Sequence, residues 1–198
     1  MKLFFADTET TGLDPKIQEV FQFSFIIEVD GKVVEEADLK MKPQRPEAAS
    51  PEALKVTNKT LKELASYPPR GETYKKMIEI LSRHVDRYDK EDKFLWVGQN
   101  PGFDLPFMRA FFRECGDKYF GSWFDNRPAD LISLGVALKA RGIIDPVNFK
   151  LGTLCELFQV PLKAHDALED VRATRTVFRK MLEFIPEPKK GPSQLSLL

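Results

Sequence analysis

Asp7 and Glu9 stand two residues apart at the end of an apolar run, Leu3-Phe4-Phe5-Ala6. Side chains alternate across a strand, so a strand through residues 2 to 9 aims both carboxylates into one space, with α-carbons roughly 6.6 Å apart. Like charges at that spacing repel, and one must take up a proton unless a cation lies between them. Alone, the pair fits a solvated strand end equally well, but Asp104, Asp170 and His165 extend it. Four carboxylates with one histidine in reach suit oxygen-loving divalent ions, magnesium or manganese. With only two histidines in the chain, a zinc site is not expected. Two such ions held roughly 3.5 to 4 Å apart can clamp the attacking and leaving oxygens of a phosphoryl transfer, while a neutral imidazole takes a proton from the attacking water. The chemistry so outlined is metal-dependent phosphodiester hydrolysis.

The elements that must carry these residues can be read from periodicity and turn signals. Beyond the turn-rich Thr10-Thr11-Gly12-Leu13-Asp14-Pro15, residues 20 to 29 alternate apolar and polar. Asp30-Gly31 is a hairpin signal, and residues 32 to 42 return as a partner strand, giving a three-stranded meander. Ser50-Pro51-Glu52 opens a short helix, and Tyr67-Pro68-Pro69-Arg70-Gly71 breaks the chain again. Tyr74, Met77, Ile78, Leu81, Val85 and Tyr88 recur at helical spacing; His84 among them reads as a surface residue. Phe94 to Gly98 is a continuous apolar run, as expected of a central strand buried on both faces. Because Pro106 is tolerated in a helix's first turn, Asp104 is expected at or near the N-cap of a helix through Cys115, at the strand edge where open α/β sheets bind ligands. A simple cap is the alternative reading of Asp104. Helices are expected at 131 to 141 and 150 to 159. Asp166 and Glu169 form a capping-box pair ahead of a helix with Leu168, Val171, Thr174, Val177, Phe178, Met181 and Leu182 on one face. That puts His165 beside Asp170 at the helix N-terminus; a satisfied local pair is the alternative there.

Taken together, Asp7-Thr8-Glu9-Thr10-Thr11-Gly12, Asn100-x-x-Phe103-Asp104 and His165-x4-Asp170 resemble the three motifs of the DnaQ-like (DEDDh) 3′–5′ exonucleases, in order, across residues 1 to about 184. The resemblance, which extends to the epsilon type of polymerase III proofreading subunit, implies a ribonuclease H-like α/β fold. Such a fold has a five-stranded mixed sheet with helices on both sides. It further implies release of 5′-mononucleotides from a free 3′ end. By the same resemblance, Asp7, Glu9 and Asp170 hold the metal beside the attacking water, Asp7 bridges to a second metal supported by Asp104, and His165 is the general base. Thr10, Thr11, Gly12 and Leu13, together with Asn100 and Phe103, would touch the terminal nucleotides. Gln99 replaces the family's usual histidine and Pro101 a small residue, which bears on the 3′-end pocket and not on the acids.

The chain has 198 residues and is 42% apolar, enough for one domain with a full core. Thirty basic and thirty acidic residues leave no overall positive field for long nucleic acid, so a polyanionic substrate must be held locally or delivered. Cys115 and Cys155 match no disulfide framework or zinc signature and read as buried apolar residues in a reducing compartment. No signal peptide and no run near the roughly 20 apolar residues of a membrane span is visible, so a soluble cytoplasmic protein is expected. Residues 1 to 185 read as the nuclease domain and 186 to 198 as a flexible tail, rich in proline and charge and ending on Gln194-Leu195-Ser196-Leu197-Leu198. That pentapeptide resembles the motif by which bacterial replication proteins dock on the sliding clamp. Tethering to a ring on DNA would raise the local substrate concentration that a neutral chain cannot raise by charge. The main reading is therefore a 3′–5′ exodeoxyribonuclease acting on single-stranded DNA, with a clamp and a DNA polymerase as candidate partners. An exoribonuclease of the same family is the alternative, and a non-catalytic adaptor is disfavoured because all four acids are present.

Overall fold

The computed structural model describes residues 1–162 and 167–186. The expected meander is present as β1 (Lys2–Thr10), β2 (Val20–Val29) and β3 (Lys32–Lys40), antiparallel, with the β2–β3 turn at Asp30 and Gly31, both at positive φ. Two short helices, α1 (Pro51–Val56) and α2 (Leu61–Leu64), follow, the first capped by the Ser50 side chain with Pro51 in its opening turn. After α3 (Arg70–Ser82), β4 (Leu95–Gly98) pairs in parallel with β1, and α4 (Pro101–Glu114) leaves from its carboxyl end. The two-residue β5 (Ala129–Asp130) then pairs in parallel with β4 and leads directly into α5 (Leu131–Ala140), α6 (Leu151–Leu157) and α7 (Ala167–Leu182). The sheet order is β3-β2-β1-β4-β5, which is the expected five-stranded mixed sheet with β1 at its centre.

Alternation along β1 separates two cores. Phe4 and Ala6 face α3 and α4 across an aromatic layer, in which the Phe4 ring lies 4.8 Å from Phe25, 5.3 Å from Trp96 and 5.0 Å from Phe124. Leu3 and Phe5 face α5, α6 and α7 through a smaller, mainly aliphatic layer with Ile26, Val97, Val171 and Val177. Burying each such side chain stabilises the fold by about 1.5–3 kcal/mol, and well-placed aromatic pairs add about 0.5–1.5 kcal/mol. Asp7 and Glu9 continue the odd register and so belong to the α7 face. On that face α7 is held by ions as well as by apolar contacts: the buried Glu28 of β2 receives Arg175 at 2.7 Å and is paired with Arg179.

Three expectations need correction. The helix through Tyr74 stops at Ser82 and does not reach Tyr88, because Asp86 and Asp89 turn the chain by accepting the backbone N–H groups of Tyr88 and Glu91. Val85 is nonetheless buried, Tyr88 is exposed, and His84 is half-buried with its Nε2 3.8 Å from Glu35. Asp104 is not the cap of α4: the helix starts at Pro101 behind a left-handed Asn100, so Asp104 sits in its first turn and Pro106 inside it. The carbonyl of Gly102 that Pro106 leaves without an N–H faces solvent, as both residues are exposed, which is why the proline is tolerated. Cys155 is buried, but Cys115 is only partly so. Among the described residues, no helix is long and apolar enough to cross a membrane.

Candidate active site

The site forms where β1 outruns its neighbour. β4 pairs with Leu3, Phe4 and Phe5 and ends at Gly98, so the β4 side of β1 beyond Ala6 has no strand partner. A backbone N–H left there must find another acceptor. The Asp104 carboxylate supplies it: Oδ1 accepts both the Thr8 N–H at 3.0 Å and the Thr8 hydroxyl at 2.6 Å. Thr8 points to the α4 face, between the two acids that point to the α7 face, so one residue of β1 ties down the third carboxylate. Thr8 stood in the sequence motif without a role, and nothing in residue type or spacing distinguishes it from an ordinary strand threonine.

The four carboxylates come from β1, α4 and the first turn of α7, and they feel one another. Burial, then Asp104, Glu9 and Asp170 in that order, raise Asp7 well above the ordinary carboxylate range. Glu9 is pushed up to about 7, first by burial and then by Asp170 and Asp104, with Lys59 acting against them. Burial pushes Asp104 up to about 6 against the two Thr8 hydrogen bonds, which favour its charged form. The Cys155 thiol on α6 is pushed up to about 11 by burial and by Asp170, so it stays protonated beside the cluster. Among the described residues, no three side chains of the His, Cys, Asp and Glu types are already drawn in to form a metal cage. The donor set still fits a hard divalent cation: it is all oxygen, and its like charges are gathered in a buried place where a cation would offset them. His165 and the capping residue Asp166 lie outside the described residues, as does the tail pentapeptide Gln194 to Leu198.

The residues expected to touch the terminal nucleotides occupy the same edge of the sheet, though not all present free groups. Leu13 is 81% exposed on the loop after β1. Thr10 spends its hydroxyl on the Gly12 carbonyl at 2.6 Å, and the Thr11 hydroxyl accepts the Glu19 N–H at 2.9 Å, so both hydroxyls shape the loop. Gly12 packs so closely on the Gln18 side chain that a Cβ would lie 2.1 Å from its amide carbon, so a larger residue there would displace the end of that side chain. Asn100 and Phe103 open α4, the first exposed, the second half-buried with its ring 5.1 Å from Phe107. Behind the loop lies an ionic quartet that periodicity could not reveal, with Glu19 and Arg70 buried and Arg45 and Glu114 at its outer side. Glu19 accepts the Arg45 N–H at 2.7 Å and lies 3.1 Å from Arg70, while Glu114 receives Arg70 at 2.5 Å and Arg45 at 2.9 Å. A concavity of about 850 Å³ around Lys2, Asp92, Arg109 and Arg127 is at the opposite end of β1 and takes no part in this site.

Residues 4–178 match the RNase_T family, described as Exonuclease. The chain is 29% identical over 192 residues to the PolC-type DNA polymerase III of Thermotoga maritima, and 26% identical over 191 residues to that of Thermotoga petrophila. Each match covers 96% of this chain and 12% of the polymerase, so the chain spans about an eighth of these relatives. Among solved structures, exonuclease I from Methylocaldum szegediense superposes with a TM-score of 0.77 at 24% identity, covering 94% of this chain and 41% of that one. Escherichia coli exonuclease I in complex with a dA16 oligonucleotide superposes with a TM-score of 0.74 at 21% identity, covering 92% and 40%. These likenesses carry the ribonuclease H-like fold.

Proposed function

The chain belongs to the RNase_T exonuclease family, and from that premise we propose that it is a 3′–5′ exodeoxyribonuclease releasing 5′-mononucleotides from single-stranded DNA. The observation that carries the reading is the convergence of carboxylates at the end of the central strand, where Asp7 and Glu9 share one face of β1 and Asp104 is tied by hydrogen bonds to Thr8 between them. Divalent-metal dependence is general in this family; here Asp7, Glu9, Asp104 and Asp170 would hold two Mg²⁺ or Mn²⁺ ions, which when bound supply the positive charge that offsets the cluster and the transferring phosphate. The chain's own part is positional. Thr8 fixes Asp104, the quartet around Glu19 and Arg70 fixes the Thr10–Leu13 loop, and exposed Leu13 offers an apolar surface to a terminal base. His165, in its neutral form, would accept the proton of the attacking water.

The carboxylates act on phosphate and do not distinguish sugars, so RNA is the second reading. The DNA polymerases among the relatives favour DNA. Residues 186–198 would act as a tether, with Gln194 to Leu198 docking on a bacterial-type sliding clamp beside a replicative polymerase. One experiment addresses both points. Matched single-stranded DNA and RNA oligonucleotides are digested by the full chain and by a chain lacking 194–198, with and without chelator, and clamp binding is measured in parallel. Expected are mononucleotides from DNA in preference to RNA, no release in chelator, equal digestion of free DNA by both chains, and clamp binding by the full chain alone. Faster RNA digestion would overturn the substrate assignment, and equal clamp binding by both chains the tether.

A further inference from the structure

Next to Glu9, on the α7 face of the sheet, is a small recess of about 190 Å³ that no role given so far uses. Strand register builds its floor. Glu9 pairs with Gln22, and Gln22 with Lys40, so the three lie in one row across β1, β2 and β3, pointing to the same side. Thr57 and Lys59 close one wall and Ala167, the first residue of α7, the other. Lys59 arrives there by a specific turn. Asn58 is left-handed at the end of α1, and the Lys59 and Asn58 N–H groups bond back to Leu54 at 2.9 Å and Lys55 at 3.2 Å, a six-to-one and five-to-two pair that reverses the chain.

Both ammonium groups are pre-organised against one tyrosine. Lys59 Nζ donates to Glu63 Oε1 at 2.6 Å, and that oxygen also accepts the Tyr67 hydroxyl at 2.9 Å. Lys40 Nζ lies 5.6 Å over the Tyr67 ring and 4.0 Å from Asp38. Asp38 also lines the recess, but Oδ1 is engaged by Gln22 and Ser24, each at 2.8 Å. An ammonium has three donors, and the hydrogen bond to Glu63 uses one of those on Lys59. That bond to Glu63 holds Lys59 above the ordinary lysine range, so it is charged throughout the working pH range.

We propose that Lys59, with Lys40 beside it, forms a phosphate subsite that takes the phosphodiester linkage next to the scissile one, on the strand entering the site. The proposal rests on the exonuclease reading and deepens it. Glu63 and Asp38 largely neutralise the two lysines, so the grip is weak, which suits a strand that must advance by one nucleotide each cycle. The competing role is purely local: Lys59 as a counter-charge to Glu9, with no contact to substrate.

The test pairs Lys59→Gln with a single-stranded DNA oligonucleotide carrying a neutral methylphosphonate at the linkage next to the scissile one. Each change alone is expected to raise KM about tenfold, the scale of one hydrogen bond to a charged group. The two together should do no more than either alone, and Lys59→Arg should restore most of the loss. A fall confined to kcat, or effects of substrate and protein that multiply, overturns the subsite. A free 5′-mononucleotide added as inhibitor separates the other source of phosphate: if Lys59→Gln relieves its inhibition while the methylphosphonate changes nothing, the recess holds product and the proposal fails. Anisotropy of a 5′-labelled single strand in chelator scores binding without turnover. Weaker binding by Lys59→Gln supports the subsite even if the wild type releases no nucleotide, a result that would sink the exonuclease reading instead; equal binding overturns the subsite.

Discussion

Along β1, residues Leu3 to Ala6 and residues Asp7 to Thr10 are built on opposite terms. The first stretch has a strand on each side and a core on each face, and its side chains are all apolar and buried. The second keeps β2 but loses β4, and the resulting gap is filled by a carboxylate from α4 with two more carboxylates opposite it. One half of the strand stabilises the protein. The other gathers like charges that destabilise it and that a bound cation would offset. Mutations in the two halves should therefore move activity and stability independently, and the sharpest contrasts come from changing one half at a time.

The largest effect is expected from Asp7→Ala. Outer-shell residues at metal sites are commonly worth about 10–100-fold, so loss of a carboxylate proposed to hold the metal should lower turnover by more than about 100-fold. Circular dichroism should remain that of the wild type; activity within tenfold of it would refute the role of Asp7. Three residues earlier, Phe4→Ala should cost about 3–5 kcal/mol in denaturant unfolding, since the ring is completely buried among five aromatic neighbours. Its kcat at a temperature where it is folded should stay near that of the wild type. A stability loss under 1 kcal/mol would mean that the aromatic layer closes over the gap.

The smallest effect is a pH slope in the metal-free protein. Glu9 and Asp104 are pushed up to about 7 and about 6, and Asp7 is raised as well, so the folded state keeps protons that the unfolded chain releases near pH 4. The folded state then binds more protons between about pH 4 and pH 7, and stability must fall as pH rises through that window. Thermal unfolding in chelator should show a Tm declining by a few degrees from pH 4.5 to 7.5. Mg²⁺ should flatten the decline, and Asp7→Asn should reduce it. A Tm that rises across the window in chelator contradicts the charge cluster.

How far the sequence led depends on what each residue answers to. The spacing of Asp7 and Glu9 and the apolar run at 94 to 98 are local signals, and the sheet follows them. β5 was not visible because two residues carry no period; it exists only by pairing Val97 with Ala129 and Gly98 with Asp130. Apolar spacing extends the Tyr74 helix too far because it marks burial, and Val85 is buried from a turn rather than from a helix. Asp104 was identified as a site residue for its place after a central strand, but its partner Thr8 is 96 positions away, a tertiary contact with no trace in composition. The same holds for Glu19 and Arg70, whose pairing depends on how α3 meets the loop after β1.

The central place of β1 in the order β3-β2-β1-β4-β5 also bears on how the molecule assembles during synthesis. The strand bearing Asp7 and Glu9 is made before β2 and β3 and can join them early in a meander. Asp104 joins only after β4 has inserted on the other side, and Asp170 rides on α7, the last element among the described residues. Domains that complete their long-range contacts late fold slowly and pass through partly built states. In such a state the acid cluster lacks its last member, so a nascent or truncated chain is expected to lack the proposed metal site. The order of the strands thereby delays nuclease activity until the whole domain has closed.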